Sequence, residues 1–244
     1  MQERAARTRR TLVSAAACEF DRCGYTGASL VRISRAAGIS MGALTFHFPN
    51  KEELAEVVRA QGHEITVAVV ERLRVREEAP VPSVVALTLA LAGLLEQEAC
   101  VRAAARLTRE RPGCGPDWTS AWVPTVHERL RRLGAQGDGF RAAGGREFQV
   151  DPGADRWALA ALATHLIAGV EADVRRRAGG EEEPDGRTAA QLARIWDLVL
   201  SGQADATSDT GTAADAGTAA DPTADRTPDA DTDGRDRPSG SSAP

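Results

Sequence analysis

Residues 25–54, YTGASLVRISRAAGISMGALTFHFPNKEEL, leave few local structures open. Ser29 is a good N-cap for a helix of about eight residues, and Leu30, Ile33, Ala36 and Ala37 recur on one face of it at the three-and-four spacing. Gly38 ends that helix as a left-handed C-cap. Ile39 then anchors the turn, and Ser40 caps a second helix over residues 41–46, where Gly42 leaves the outward surface bare enough for backbone to approach a phosphate or base. Asn50 with Glu53 three residues later supplies an N-cap and a capping-box carboxylate ahead of Leu54, Val57 and Val58. Two short helices, a glycine turn and a third helix starting at a set angle make a helix-turn-helix, which places a helix in a DNA groove.

Upstream, Arg4, Arg7, Arg9 and Arg10 lead into a helix whose Leu12, Ala15, Ala16, Cys18 and Phe20 can pack on the pair, until Gly24 stops it. The first fifty residues carry seven Arg against three acidic residues, a net charge of +4, whereas the whole chain carries −5. Arg4, Arg7, Arg9, Arg10, Arg32, Arg35 and Lys51 can therefore form a phosphate-facing surface on an otherwise acidic protein, as a modular DNA binder would. The candidate DNA contacts are Arg4, Arg7, Ser29, Arg32, Ser40, Met41, Gly42, Ala43, Thr45, Phe46, His47 and Lys51.

Residues 8–54 resemble the N-terminal domain of TetR-family repressors. Phe20, Gly24, Tyr25, Ser29, Ile33, Ala37, Gly38, Gly42, Leu44, His47, Phe48, Lys51 and Leu54 carry the match, over less than a quarter of the chain. The resemblance implies an all-α homodimer: a three-helix N-terminal DNA-binding domain and a larger helical C-terminal domain for ligand binding and dimerisation. Domains are accordingly expected at 1–54 and 55–201, with a tail at 202–244. Two departures bear on mechanism. Family members usually carry Tyr where this chain has Thr45, and many carry Lys where it has Met41. Both changes remove long phosphate-reaching side chains, although Thr45 can still donate a shorter bond and Met41 can meet a thymine methyl.

Aromatic residues make up 4% of the chain, and its apolar content is mainly Ala, Leu and Val, which favours helix over strand. Of thirty basic residues only Lys51 is lysine, a skew that suggests a high-GC genome. Cys18, Cys23, Cys100 and Cys114 lack the close paired spacing of a zinc site, so buried or free thiols are expected and no metal. No signal peptide and no eighteen-residue apolar segment is evident, so the expectation is a cytoplasmic protein without a membrane partner. Neither a phosphate-cradling Gly-Lys loop nor a nucleophile-base motif occurs, so no enzymatic activity and no cofactor are expected.

Beyond Leu54 the helix is expected to continue to about residue 78, where EEAPVPS breaks it. Residues 84–95 are apolar on nearly every side, which fits a buried helix, either pocket wall or plain core. Another helix covers 101–109. After Pro112, Gly113, Gly115 and Pro116, residues 118–133 resume as helix, with Trp118, Trp122, Val126 and Leu130 in one stripe and Pro124 marking a late start or a kink.

This segment, with the wording GALTFHFPNKEEL at residues 42–54, is similar to the γ-butyrolactone autoregulator receptor branch of the TetR family. That resemblance implies a Trp packed over a lactone ring, with Trp122 the better fit and Trp118 the next. Ordinary core is the competing role for either. His127, His165, Thr88 and Thr164 can offer polar contacts among aliphatic walls, each with a structural alternative. The candidate ligand set is Trp118, Trp122, Val126, His127, Leu91, Thr88 and Thr164, for a small apolar-to-amphipathic effector.

Residues 134–155 read as a Gly-rich polar loop. Asp155 can cap a helix to about residue 177, with Trp157, Leu159, Leu162, Leu166, Ile167, Val170 and Val174 apolar; residues 188–200 add Leu192, Ile195, Trp196, Leu198 and Val199. Two such helices resemble the pair forming the family's four-helix dimer interface, here through Leu162, Leu166, Val170, Ile195, Trp196 and Val199; the alternative is that they close a monomeric core. From Gly202 the chain has no aliphatic side chain larger than Ala and carries nine Asp against three Arg, so a disordered acidic tail is expected. The implied mechanism is a dimer with recognition helices in successive major grooves of palindromic operator DNA, about 34 Å apart, whose spacing a ligand shifts. A ligand-binding protein with weakened DNA contact, given Met41 and Thr45, is the competing function.

Overall fold

The computed structural model describes residues 2–76, 78–133, 140–141, 147–148, 154–178 and 187–209. The helices are α1 Gln2–Gly27, α2 Leu30–Ala37, α3 Met41–His47, α4 Lys51–Arg74, α5 Pro80–Gln97, α6 Ala99–Glu110, α7 Val123–Arg131, α8 Ala154–Ala178 and α9 Arg187–Asp209. A short antiparallel pair, β1 Phe140–Arg141 and β2 Glu147–Phe148, falls within the segment expected to be loop. The architecture is all-helical, as expected.

Local chemistry sets the N-terminal helices. Gly24 breaks α1 at φ 68°, a left-handed conformation that favours glycine, and a Cβ there would displace the ends of the Glu110 and Arg106 side chains. Gly38 ends α2 in the left-handed region at φ 65°. The Ser40 hydroxyl accepts from the Ala43 N–H at 3.3 Å to start α3, and Asn50 Oδ1 accepts from the Glu53 N–H at 2.9 Å to start α4. Ser29 departs from expectation: its side chain makes no cap bond, and its own N–H donates to Glu19 Oε1 at 3.3 Å. The buried Glu19 carboxylate thus satisfies the backbone N–H of the N-cap residue rather than one inside the first turn of α2.

α4 stops at Arg74, short of the expected residue 78; near its end Arg129 donates to the Leu73 carbonyl at 2.8 Å. The expected helix over 118–133 divides into a 3₁₀ turn, Trp118–Ala121, and α7, because Pro124 sits in the first turn of α7, where its missing N–H costs nothing. At the other end α9 runs eight residues past the boundary drawn at residue 201. Ala204 and Ala206 in that extension favour helix, since Ala has the highest helix propensity. The tail expected beyond 209 lies outside the described residues. α5 and residues 156–177 are also long and apolar enough to span a membrane, contrary to the sequence expectation; α5 owes its composition to the core, with half of it buried.

Two hydrophobic cores result. The first joins Leu12, Phe20, Ile33, Leu44, Phe48 and Leu54 to Ala55 and Val58 of α4 and Cys100, Ala103 and Leu107 of α6. It therefore does not end at residue 54. The second gathers Val84, Leu87, Leu91, Leu95, Trp118, Trp122, Val126, Leu159, Ile167, Leu192 and Trp196 around α5. Burial pushes the Cys100 thiol up to about 11, whereas Cys18 is exposed.

α4 and α6 cross where Gly62 faces Ala104, and a Cβ on Gly62 would lie 2.5 Å from the Ala104 Cβ and collide with the Cys100 carbonyl. Replacing Gly62→Ala should destabilise the protein by about 1–3 kcal/mol through overpacking, read as a lowered urea midpoint at unchanged slope.

Candidate functional site

The outward face of α3 is the first candidate surface. Leu44 is fully buried and Phe48 nearly so, which fixes the rotation of the helix. Met41, Gly42, Thr45 and Phe46 are consequently exposed, Phe46 at 82%, while Ala43 and His47 are half-buried. The Phe46 and His47 rings meet edge to face at 5.4 Å. Thr45 Oγ1 donates back into its own helix, shared between the carbonyls of Met41 and Gly42 at 3.1 Å each. Its proton is thus engaged within the helix.

The basic candidates separate by their partners. Arg4 and Arg7 are exposed at the start of α1, and Arg9 lies 5.0 Å over the Phe48 ring. Arg32 instead pairs with Glu19 at 2.5 Å and donates to the Gly27 carbonyl. Burial alone would raise the Glu19 carboxyl, but hydrogen bonds from Arg22, Arg32 and the Ser29 N–H hold it below its ordinary value. Lys51 Nζ donates to the carbonyls of Tyr25 at 2.8 Å and Ala28 at 3.2 Å, and lies 4.5 Å over the Tyr25 ring. Arg32 and Lys51 therefore fasten α2 and α4 to the end of α1.

A polar cluster that sequence reasoning missed binds this headpiece to α6. Tyr25 is flanked by Lys51 and by Arg111, whose guanidinium is 4.0 Å from the ring. The Tyr25 hydroxyl donates to Glu52 at 2.9 Å, its N–H donates to Glu110 at 2.7 Å, and Arg111 pairs with Glu52. Arg106 joins Glu110 at 2.6 Å and the Asp21 carbonyl at 2.7 Å, while Arg102 pairs with the Asp21 carboxylate at 2.6 Å. Arg59 of α4 closes the other side, donating to the carbonyls of Arg111 at 3.0 Å, Leu107 at 3.4 Å and Pro116 at 3.3 Å. The Tyr25–Glu110 and Arg102–Asp21 contacts cross more than eighty positions, which no local pattern announces.

The second candidate region is the tryptophan core. Trp118, Trp122, Val126 and Leu91 lie in one buried cluster, with the two indoles 5.7 Å apart. Trp118 Nε1 donates to Thr66 Oγ1 at 2.9 Å, and that hydroxyl donates onward to the Gly62 carbonyl at 2.8 Å. Thr66 had no signal in the sequence beyond its place on α4. Thr88 is equally occupied, donating to the Val85 carbonyl and accepting from Trp196 Nε1 at 2.9 Å. Trp122 differs: it is 1% exposed, and among the described residues its indole N–H finds no acceptor. An unmet buried donor costs about 1–3 kcal/mol.

His127 and Thr164 are not drawn into that cluster. The His127 ring lies 5.5 Å from Trp157, and Thr164 donates to the Ala160 carbonyl at 2.8 Å. His165 is exposed. Of the expected dimer contacts, Trp196 and Val170 are buried within this chain, Trp196 because Thr88 satisfies its N–H in the α5–α9 packing. Both are core residues, a correction to their expected place at an interface. Leu162, Leu166, Ile195 and Val199 are half-buried, and Trp157 and Leu198 stand 65% and 67% exposed on the same helices. α8 and α9 thus keep apolar side chains that the described residues leave partly open.

Replacing Thr66→Val, which keeps shape but removes the acceptor of the Trp118 indole, should cost about 1–3 kcal/mol in urea denaturation.

Residues 12–58 match the model of the bacterial regulatory proteins of the tetR family. The chain is 30% identical over 200 residues to the A-factor receptor protein of Streptomyces griseus, covering 82% of this chain and 64% of that protein. It thus spans just under two thirds of the relative's length. Among solved structures, a gamma-butyrolactone receptor (ArpA-like protein) superposes with TM-score 0.60 and 28% identity over 82% of this chain and 89% of its own. The TetR family protein CprB from Streptomyces coelicolor, in complex with its biological operator sequence, superposes with TM-score 0.62 and 26% identity over 85% of this chain and 97% of its own.

Proposed function

We propose that this chain is a TetR-family transcriptional repressor released from operator DNA by a small amphipathic effector. A γ-butyrolactone or an antibiotic-pathway metabolite fits that description, and the family is one of regulators rather than enzymes. The observation that carries the ligand half is the buried Trp122 indole N–H without an acceptor among the described residues, beside the apolar walls of Leu91 and Val126. A ligand carbonyl or ring oxygen meets that donor, and the aliphatic groups around it take the rest of the molecule. The relatives named above, an A-factor receptor and a gamma-butyrolactone receptor, support the same effector class.

The DNA half rests on α3, capped at Ser40 and exposed along Met41, Gly42, Thr45 and Phe46, with Arg4 and Arg7 nearby in sequence to the basic end of α1. A second copy covers the apolar surface of α8 and α9 left by Leu162, Leu166, Ile195, Val199 and Leu198, which sets two copies of α3 on a palindromic operator in the cytoplasm. The coupling route starts at Trp118, tied to Thr66 on α4, and the first turn of α4 follows α3 after three residues and holds the end of α1 through Lys51. A ligand that displaces the Trp118–Trp122 pair therefore pushes on the helix that carries the headpiece. About 1–3 kcal/mol of coupling suffices for roughly 5- to 150-fold release.

A second function, ligand binding with weakened DNA contact, is favoured by Met41 and by the Thr45 hydroxyl turned back into its helix. Salt-titrated fluorescence anisotropy on the gene's own upstream DNA, with and without butyrolactones and an antibiotic panel, separates the two. Repression predicts specific salt-sensitive binding that one compound abolishes, with Trp122→Phe retaining DNA affinity within about threefold while losing most of the response. Binding that no compound alters would leave a constitutive repressor.

A further inference from the structure

We infer that α3 reads its operator through thymine methyl groups, with Phe46 as the principal specificity-determining residue. The inference rests on the DNA-binding function proposed above and names the chemistry that this recognition helix can use.

With Leu44 packed inward, the opposite side of α3 presents Gly42 and Phe46, flanked by Met41 and Thr45. The helix, MGALTFH, contains no Arg, Lys, Asn, Gln, Asp or Glu. It therefore lacks the side chains that grip guanine or adenine edges with paired hydrogen bonds. The Thr45 proton is also spent within the helix, on the Met41 and Gly42 carbonyls, while the Ser40 oxygen at the helix start accepts from the Ala43 N–H. The surface opposite Leu44 is apolar: the Phe46 ring, flanked by the Met41 thioether end and the Thr45 methyl.

Of the groups that base pairs display in the major groove, the apolar one is the C5 methyl of thymine. A phenyl ring 82% exposed on a short helix gains by burial against such methyls. His47 backs the Phe46 ring edge-on at 5.4 Å, and Gly42, with nothing within 4 Å of where a Cβ would stand, lets the groove floor come close to the helix backbone. Charge complementarity comes from elsewhere on the same head. Arg4, Arg7, Arg9, Arg10 and Arg35 are exposed and hold phosphates without reading sequence, so discrimination falls to α3.

The test uses the full chain and a random duplex library, followed by anisotropy on matched duplexes. These carry thymine, deoxyuridine in place of thymine, or 5-methylcytosine in place of cytosine. Selection should fix thymine at positions in each half-site. Deoxyuridine at a contacted position should weaken binding about fourfold per methyl lost. In Phe46→Ala, whose folding is checked by circular dichroism, the thymine-to-deoxyuridine ratio should fall toward one, while Phe46→Leu retains part of it. Equal affinity for thymine and deoxyuridine duplexes, or an unchanged ratio in Phe46→Ala, overturns the inference while leaving DNA binding intact. Failure to select any sequence at low salt overturns the DNA-binding function itself and this inference with it.

Discussion

The close crossing of α4 and α6 at Gly62 is the constraint on which the rest of the structure depends. α6 serves two cores at once, giving Cys100, Ala103 and Leu107 to the headpiece and Val101, Ala104 and Ala105 to the larger core. Only small residues on the facing turns let it lie between them, because interiors are close-packed and a single extra methyl is felt. The polar face of α6 completes the joint. Arg102, Arg106 and Glu110 hold the end of α1, and Arg59 of α4 holds the carbonyls at the end of α6. The head is therefore attached by a packed and hydrogen-bonded helix rather than by a flexible linker.

Under the proposed function, that joint is the route by which the tryptophan core acts on α3 without touching it. Three buried indoles have three different fates: Trp118 is satisfied by Thr66, Trp196 by Thr88, and Trp122 by nothing among the described residues. The two satisfied indoles pin α4 and α5, so their positions are stable without a ligand. Trp122 lies next to the one that pins α4. A small displacement there meets a discrete hydrogen bond, which is kept or lost, and such two-valued contacts suit switching better than continuous deformation.

Much of the headpiece was legible in the sequence because its signals are local. The left-handed turn at Gly38, the Ser40 cap and the Asn50–Glu53 pair all act over three or four residues. The functions of Ser29, Arg32 and Lys51 were not legible, since each depends on Glu19 or on carbonyls at the end of α1. Charge marked Arg32 and Lys51 as candidate phosphate contacts, and the fold also uses both to join helices. Trp196 failed in a similar way. Its place on an apolar stripe fits an interface or a core equally, and only the Thr88 hydroxyl, 108 positions away, decides for the core.

The make-up of the first core has a consequence for biosynthesis. Its apolar faces on α1 to α4 are covered in part by Cys100, Ala103 and Leu107. On the ribosome the headpiece therefore emerges about fifty residues before the helix that completes it, and domains form only once their parts are available. During that interval the groove awaiting α6 stays uncovered, and the headpiece is closed only once α6 has been made.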